Sequence, residues 1–398
     1  MTALTVGGGA EFVILGDAVD QIEAHPVGSV LHVVTDAGPH PYFRTLIEAG
    51  GLERGTLSVG CVGPRGVLQE EMESLGVSTF ALGATDRSGY PRAVVRLARL
   101  LRSRRAQVLQ THLLDGSLVG LLAGRLARTP VAVMTAHHSH ELPFHGRRLL
   151  WPERLCAGPL SDHIIAPSRA VADTMVRCAH VPAAKIEIVH HGFDLARLDP
   201  SVVDGGRVRR ELGLEGATAF GAIGRIYRLK NYIALIEAFA AALGTAPEAR
   251  LIIVGAGDAT ALVSRAAALG IGDRVVFTGP RNDVPELLAA FDAFVHPAVA
   301  ESFGMVIVEA MAMGLPVLTT PVGIVPEVID ARVSGIITSG SGPAALERGF
   351  LELLELRSSW SSMGAAARRR VEGFTAELMA HRYEELYARW LSGATTPA

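Results

Sequence analysis

Two series of short apolar runs, each run followed by a stretch with helical spacing, constrain this chain more than any other feature. In the first half the runs are Ser29–Thr35, Leu57–Val62, Ser78–Leu82, Val108–Thr111, Val131–Thr135, His163–Ala166 and Ile186–Val189. Tyr42–Gly50, Pro91–Arg105 and Ser117–Leu126 lie between them and read as helices. In the second half Ala219–Ile223, Arg250–Val254, Val275–Thr278, Ala293–His296, Pro316–Thr319 and Gly335–Ile337 repeat the alternation. Strands alternating with helices imply a mostly parallel sheet covered on both faces. A chain of 398 residues is long enough for two such α/β units. His190–Pro200 reads as the connection, so residues 1–195 form a first domain and 196–375 a second. The last helical stretch, Ala376–Trp390, places Leu378, Met379, Tyr383, Leu386, Tyr387 and Trp390 at helical spacing, so it needs a surface to pack on. Residues 1–28 precede the first clear strand and read as an added strand–helix piece or an arm.

Composition narrows the function. The chain is 49% apolar, as expected of an α/β globular protein, and its net charge of −3 argues against nucleic acid as the main partner. Cys61, Cys156 and Cys178 are odd in number and widely spaced, which fits a reducing cytoplasm better than a disulfide framework. The first residues lack a basic stretch and a long apolar core, so no signal peptide is expected. Residues 303–326 carry one charge, Glu309, and mimic a membrane span in hydropathy. Gly304, Gly314, Pro316, Pro321, Gly323 and Pro326 break that run into short pieces of a buried sheet. Arg92, Arg96, Arg99, Arg102, Arg104 and Arg105 read first as the solvent face of a sheet-covering helix, and second as a surface for weak association with anionic lipid.

The chemistry concentrates in Glu301-Ser-Phe-Gly-Met-Val-Ile-Val-Glu309, continued by Ala-Met-Ala-Met-Gly-Leu-Pro316. Desolvating a carboxylate costs several kcal/mol unless something bonds it, so a Glu309 on an apolar helix needs a partner. The amides of Phe303, Gly304 and Met305 open that helix, and a helix N-terminus holds phosphate. Carboxylates for sugar hydroxyls beside amides for phosphate suit a sugar nucleotide. Gly221-Ala-Ile-Gly224-Arg225-Ile-Tyr-Arg228-Leu-Lys230-Asn231 likewise follows a strand and opens a helix. An Arg fork and a Lys point charge at such a helix opening can hold phosphate oxygens.

The first of these segments resembles the E-x7-E signature of retaining glycosyltransferases of family 4, and the match runs on through Pro316-Val-Leu-Thr, Gly323, Glu327 and Gly335. The second resembles the family's Gly-Arg…Lys-Gly segment, with Asn231 in place of the last Gly. The resemblance implies the GT-B fold: two Rossmann-like domains facing across a cleft, with a C-terminal helix, here 376–398, crossing back to the first. It further implies a donor site in which Glu309 takes the ribose hydroxyls and Glu301 those of the transferred sugar. Gly224, Arg225 and Lys230 would hold the diphosphate together with Ser302, Phe303, Gly304 and Met305, and Arg281 would stack on the base. His112 would lie close to the transferred sugar, which makes His112, Arg225, Lys230 and Glu301 the implied catalytic set. Gly38 and His40, in a turn where the family usually has Gly-Gly, join His112, His137 and His138 as the implied acceptor side.

The implied reaction is metal-independent hexosyl transfer with retention. The acceptor hydroxyl attacks from the leaving-group face, the departing phosphate takes its proton, and domain closure excludes water. No Asp-x-Asp follows a strand, and neighbouring histidines in His137–His140 and His190–His191 point to opposite sides, so no metal site and no cofactor are expected. UDP is the commonest donor nucleotide among such enzymes. The expected acceptor is a hydroxyl of a small natural product or metabolite; the alternatives are a lipid-linked cell-envelope acceptor or a non-catalytic sugar-nucleotide binder. An epimerase on this fold would need an acid/base pair that the sequence does not reveal. A nicotinamide-dependent dehydrogenase is disfavoured because no strand-linked Gly-x-Gly-x-x-Gly with a following acidic residue is evident. The Ala-, Arg- and Gly-rich composition suits a GC-rich bacterial genome.

Overall fold

A computed structural model describes residues 28–50, 56–137 and 147–394. The stretch before residue 28, and His138, lie outside the described residues. The first sheet holds β1 (Val30–Val34), β2 (Leu57–Cys61), β3 (Ser78–Ala81), β4 (Val108–His112), β5 (Val131–Thr135), β6 (His163–Ala166) and β7 (Ile186–Ile188), in the order 3-2-1-4-5-6-7. The second holds β8 (Thr218–Ile223), β9 (Ala249–Val254), β10 (Val275–Gly279), β11 (Ala293–His296), β12 (Val317–Thr319) and β13 (Ile336–Ile337), in the order 10-9-8-11-12-13. Every pairing is parallel. The strands β1, β2, β4 and β5 are buried at every position because helices cover both faces, which is why they read as continuous apolar runs rather than alternating ones.

On one face of the first sheet, helix Tyr90–Ser103 buries Ala93, Leu97, Ala98 and Leu101 in a core shared with Leu31, Val33 and Leu109. Its arginines are surface residues that cap neighbouring chain: Arg96 donates to Leu82 O, Arg102 to Leu126 O, and the following Arg104 to Ser58 Oγ. On the other face lies the helix Ala376–Ala394, which buries Met379, Ala380, Tyr383, Leu386, Tyr387 and Trp390 against Val30, Val34, Val108, Val131 and Val133. Leu378 does not share this face; it is 55% exposed, because one residue before Met379 is about 100° around the helix. The chain crosses between the two sheets twice, side by side. Phe193 N donates to Phe374 O at 2.9 Å and Ala376 N donates to Phe193 O at 3.1 Å. Gly192 permits the crossing, since a Cβ there would sit 2.4 Å from Thr375 O.

The strand order reverses between β1 and β4 in one sheet and between β8 and β11 in the other. Ligands of open α/β sheets bind beyond the carboxyl ends of strands at such reversals. His112 ends β4 and His296 ends β11, so both sheets aim their reversal points at the seam between the two halves. The apolar run 303–326 resolves into helix Met305–Ala312, strand β12 and helix Val325–Val328. Among the described residues no helix is long and apolar enough to cross a membrane.

Candidate active site at the seam

Beyond β8 the chain makes a one-turn 3-10 helix, Arg228–Lys230, and then Asn231 turns left-handed at φ 61°, ψ 32° to start helix Tyr232–Ala242. Gly and Asn are the residues that take this conformation readily, so Asn231 fills the backbone role of a Gly. It adds two bonds a Gly lacks, donating from Nδ2 to Pro297 O at 3.0 Å and to Ser341 O at 2.7 Å. The turn is thereby fastened to the loop after β11, and Lys230 Nζ donates to Glu301 Oε1. His296 Nε2 lies 3.2 Å from the same oxygen, out of line for a hydrogen bond. Burial works to raise the Glu301 carboxyl, but His296 and Lys230 together overcome it and hold it at about 2. Burial keeps His296 itself below its usual range, and Lys230 stands against Glu301 as its ion-pair partner.

Gly304 opens the helix Met305–Ala312 from the left-handed region, at φ 93°, ψ 55°. Among the described residues the backbone amides of Phe303, Gly304 and Met305 have no backbone acceptor. Phe303 is the anchor of this turn: its ring is buried against His191 and Phe193, and its carbonyl accepts from Ile324 N at 2.8 Å. Glu309 follows on the same helix. No hydrogen bond or ion pair reaches its carboxylate from the described residues, and burial pushes it up to about 7.

These groups surround one cavity of about 280 Å³. Gly224, Lys230, Glu301, Ser302, Phe303, Gly304, Met305 and Glu309 line it, joined by Ile223, Val284, Val306 and His191. Two of the residues implied for the donor stand elsewhere. Arg225 is exposed on the loop after β8, its guanidinium 5.0 Å from the Tyr227 ring centre, and does not line the cavity. Arg281 is committed to Asp283 and Glu211, which hold its guanidinium well above the usual range. Its neighbour Val284, not Arg281, reaches the cavity.

Of the implied acceptor residues, Gly38, His40, His112 and His137 lie at the carboxyl-end side of the first sheet. Gly38 N donates to Asp36 Oδ1 at 2.9 Å, and His40 Nε2 lies 3.7 Å from that oxygen. His112 is 2% exposed, with Nδ1 2.9 Å from His137 Nε2. His137 stacks on His191, centroids 5.6 Å apart, and so connects these residues to the cavity wall. His191 and His296 are the residues that sequence reasoning missed as site members. The signal for His296 was a strand ending on His at a reversal point. His191 had no such signal, because only the fold brings the linker back onto Phe303. As expected of neighbours, His190 turns away from His191, with Nε2 3.1 Å from Glu327 Oε2.

The halves touch beside the cavity. Ser168 donates to the carbonyl of Ser302 at 2.5 Å, and Arg169 N donates to Glu327 Oε1 at 2.8 Å. The loop that would hold the diphosphate is thus fastened to the first sheet's half.

Comparison with known proteins agrees in both halves. The chain matches the glycosyl transferases group 1 over residues 207–370 and glycosyltransferase family 4 over residues 46–197. A D-inositol 3-phosphate glycosyltransferase of Salinispora arenicola is 30% identical over 294 residues, 66% of this chain and 65% of that protein. Its counterpart in Streptomyces avermitilis is 32% identical over 241 residues, 57% of this chain and 52% of that protein. The chain therefore spans less than two thirds of these curated relatives. Among solved structures, Anabaena HepE with UDP and glucose superposes with a TM-score of 0.81 at 22% identity, covering 91% of this chain and all of that one. Sucrose-phosphate synthase of Thermosynechococcus elongatus gives 0.74 at 19% identity, covering 92% and 100%.

Proposed function

We propose, from the premise that this chain belongs to the retaining glycosyltransferases of family 4 with the GT-B fold, that it moves a hexose from a UDP-sugar to a hydroxyl of a small-molecule acceptor. The observation that carries the reading is the cavity in which Lys230, Glu301, Glu309 and the open amides of Phe303 to Met305 converge. A diphosphate fits the amides and Lys230; a ribose diol fits Glu309, the one carboxylate there without a partner among the described residues. Glu301 sits one side chain from Lys230, where hydroxyls of the transferred sugar would replace part of its present contact. UDP is favoured because the similarly folded HepE holds UDP and glucose, and a small acceptor because the curated relatives act on an inositol phosphate. The domains 1–195 and 196–375 would supply acceptor and donor sides respectively.

In the reaction the glycosidic C–O bond to the diphosphate breaks and a new C–O bond to the acceptor oxygen forms on the same face. The acceptor proton passes to the departing phosphate oxygen, and Lys230 with the helix-end amides carries the developing charge. Neither Glu is asked to act as nucleophile. The test is transfer by the wild type and by Lys230→Ala and Glu309→Ala, with product configuration read by NMR. Each variant should lose at least about a hundredfold in turnover, the scale of one lost charge-stabilising contact, while staying folded. Near-normal turnover in both would sink the assignment.

A further inference from the structure

One buried nitrogen beside the cavity has nothing to bond. His296 closes β11 in register with Thr319 of β12, and its carbonyl accepts from Thr320 N at 3.2 Å, so the sheet fixes its place. The residue is 2% exposed, and its Nε2 has no hydrogen-bond partner among the described residues. Glu301 Oε1 lies 3.2 Å away, off the line such a bond needs. That oxygen already accepts from Lys230 Nζ. An unsatisfied buried polar atom is destabilising, so each instance in a folded protein calls for a reason. Burial holds the ring below its usual range, so it is neutral at pH 7. A neutral imidazole carries one N–H and one lone pair. The carboxylate attracts the first and repels the second, so the proton belongs on Nε2.

Lys230 and Glu301 both line the cavity, whereas His296 does not. Lys230 ends the one-turn helix Arg228–Lys230 and carries its charge on a flexible four-carbon stem. The open amides of Phe303, Gly304 and Met305 belong to the same cavity wall. A diphosphate seated on them bears more than one negative charge, and it competes with the single charge of Glu301 for Lys230. Drawing Lys230 away takes the donor from Oε1 and leaves a buried carboxylate unpaired, which is strongly destabilising. His296 Nε2 is already within hydrogen-bonding distance of that oxygen, so only the angle has to change for it to donate.

We propose that His296 is the reserve partner of Glu301: when a diphosphate draws Lys230 off, the Nε2–H of His296 turns onto Oε1 and holds the carboxylate in place for hydroxyls of the transferred sugar. The proposal rests on the glycosyl-transfer reading, which supplies the diphosphate. His296 is a positioning residue; it acts through Glu301 and touches no substrate. No proton changes hands in the exchange. The orphaned nitrogen thereby has its reason: it is unsatisfied with Lys230 on Glu301 and satisfied with Lys230 on phosphate.

The test compares the full chain with and without UDP. The first readout is a long-range nitrogen–proton NMR spectrum of protein labelled with 15N-histidine, with the His296 signal assigned by its loss in His296→Gln. That ring should be the Nε2–H tautomer in both states, and its proton should move downfield on saturation with UDP as the bond to Glu301 forms. His296→Leu removes the nitrogen. It should leave the unfolding temperature without UDP at or above that of the wild type, yet weaken UDP affinity by roughly tenfold or more, the scale of one lost hydrogen bond to a charged group. His296→Gln returns an N–H donor and should recover most of that affinity. A residue that merely packs would lower the unfolding temperature and leave the affinity and the proton shift alone. UDP bound by the wild type with an unmoved His296 proton, or bound equally well by His296→Leu, overturns the proposal and leaves the glycosyl-transfer reading standing. An Nδ1–H ring in the wild type overturns it too. If no nucleotide binds the wild type, the glycosyl-transfer reading fails and this proposal with it. Should His296→Leu not fold, the wild-type spectra alone decide.

Discussion

Glu309 and Glu301 lie on one short segment of chain and titrate in opposite directions for reasons visible at the level of single side chains. Burial without a partner raises Glu309 to about 7, and Lys230 with His296 lowers Glu301 to about 2. For Glu309 the folded value lies above the ordinary 4.5, so its contribution to stability is full below that value and is lost as pH rises through 7. Glu309→Gln should therefore match the wild type in denaturant stability at pH 5 and exceed it by about 1–3 kcal/mol at pH 8. Equal stability at both pH values would show that Glu309 has a partner or ready access to water. If ribose hydroxyls donate to this carboxylate, UDP binding near pH 7 releases a proton, and calorimetry in buffers of different ionisation enthalpy would register it. The need of Glu309 for a partner was legible in the sequence, since an apolar helix offers a carboxylate nothing of its own to bond. That no described residue supplies this partner was not legible, because it depends on what the fold brings near. The same holds for His191, whose place in the cavity wall depends on Phe303, more than a hundred residues away in sequence.

At the scale of elements, apolar runs and helical spacing marked the strands and helices because burial on both faces erases alternation and leaves length as the cue. The C-terminal helix shows the limit: six apolar positions suggested one face, but the helix seats Met379, Tyr383, Leu386, Tyr387 and Trp390 and leaves Leu378 in solvent. Leu386→Ala should cost about 2–5 kcal/mol in chemical unfolding, as for other fully buried leucines, and Leu378→Ala less than about 0.5. Asn231 departs from the resembled motif, and its left-handed backbone shows why the departure is tolerated. Asn231→Gly should keep the turn but lose the bonds to Pro297 and Ser341, costing about 1–2 kcal/mol, while Asn231→Val should cost more through strain at positive φ. A reversed ranking in thermal denaturation would contradict this account of the turn.

For the whole molecule, two parallel sheets place their reversal points at one seam, and the donor loop is fastened across it by Ser168 and Glu327. The two-unit architecture was legible because the strand–helix alternation occurs twice; the fastening was not, because Ser168 and Ser302 meet only through tertiary packing. Glu327→Ala removes acceptors for Arg169 N and His190, and should give a larger radius of gyration in small-angle scattering and weaker nucleotide binding. The central claim is that the cavity between Lys230 and Glu309 is a sugar-nucleotide site, and the most direct measurement is a thermal-shift comparison of UDP, GDP, ADP and dTDP, each with and without EDTA. The account predicts that UDP alone raises the unfolding temperature by several degrees at concentrations about a hundred times its Kd, unchanged by EDTA. Folded protein that no nucleotide stabilises at millimolar concentration would contradict it.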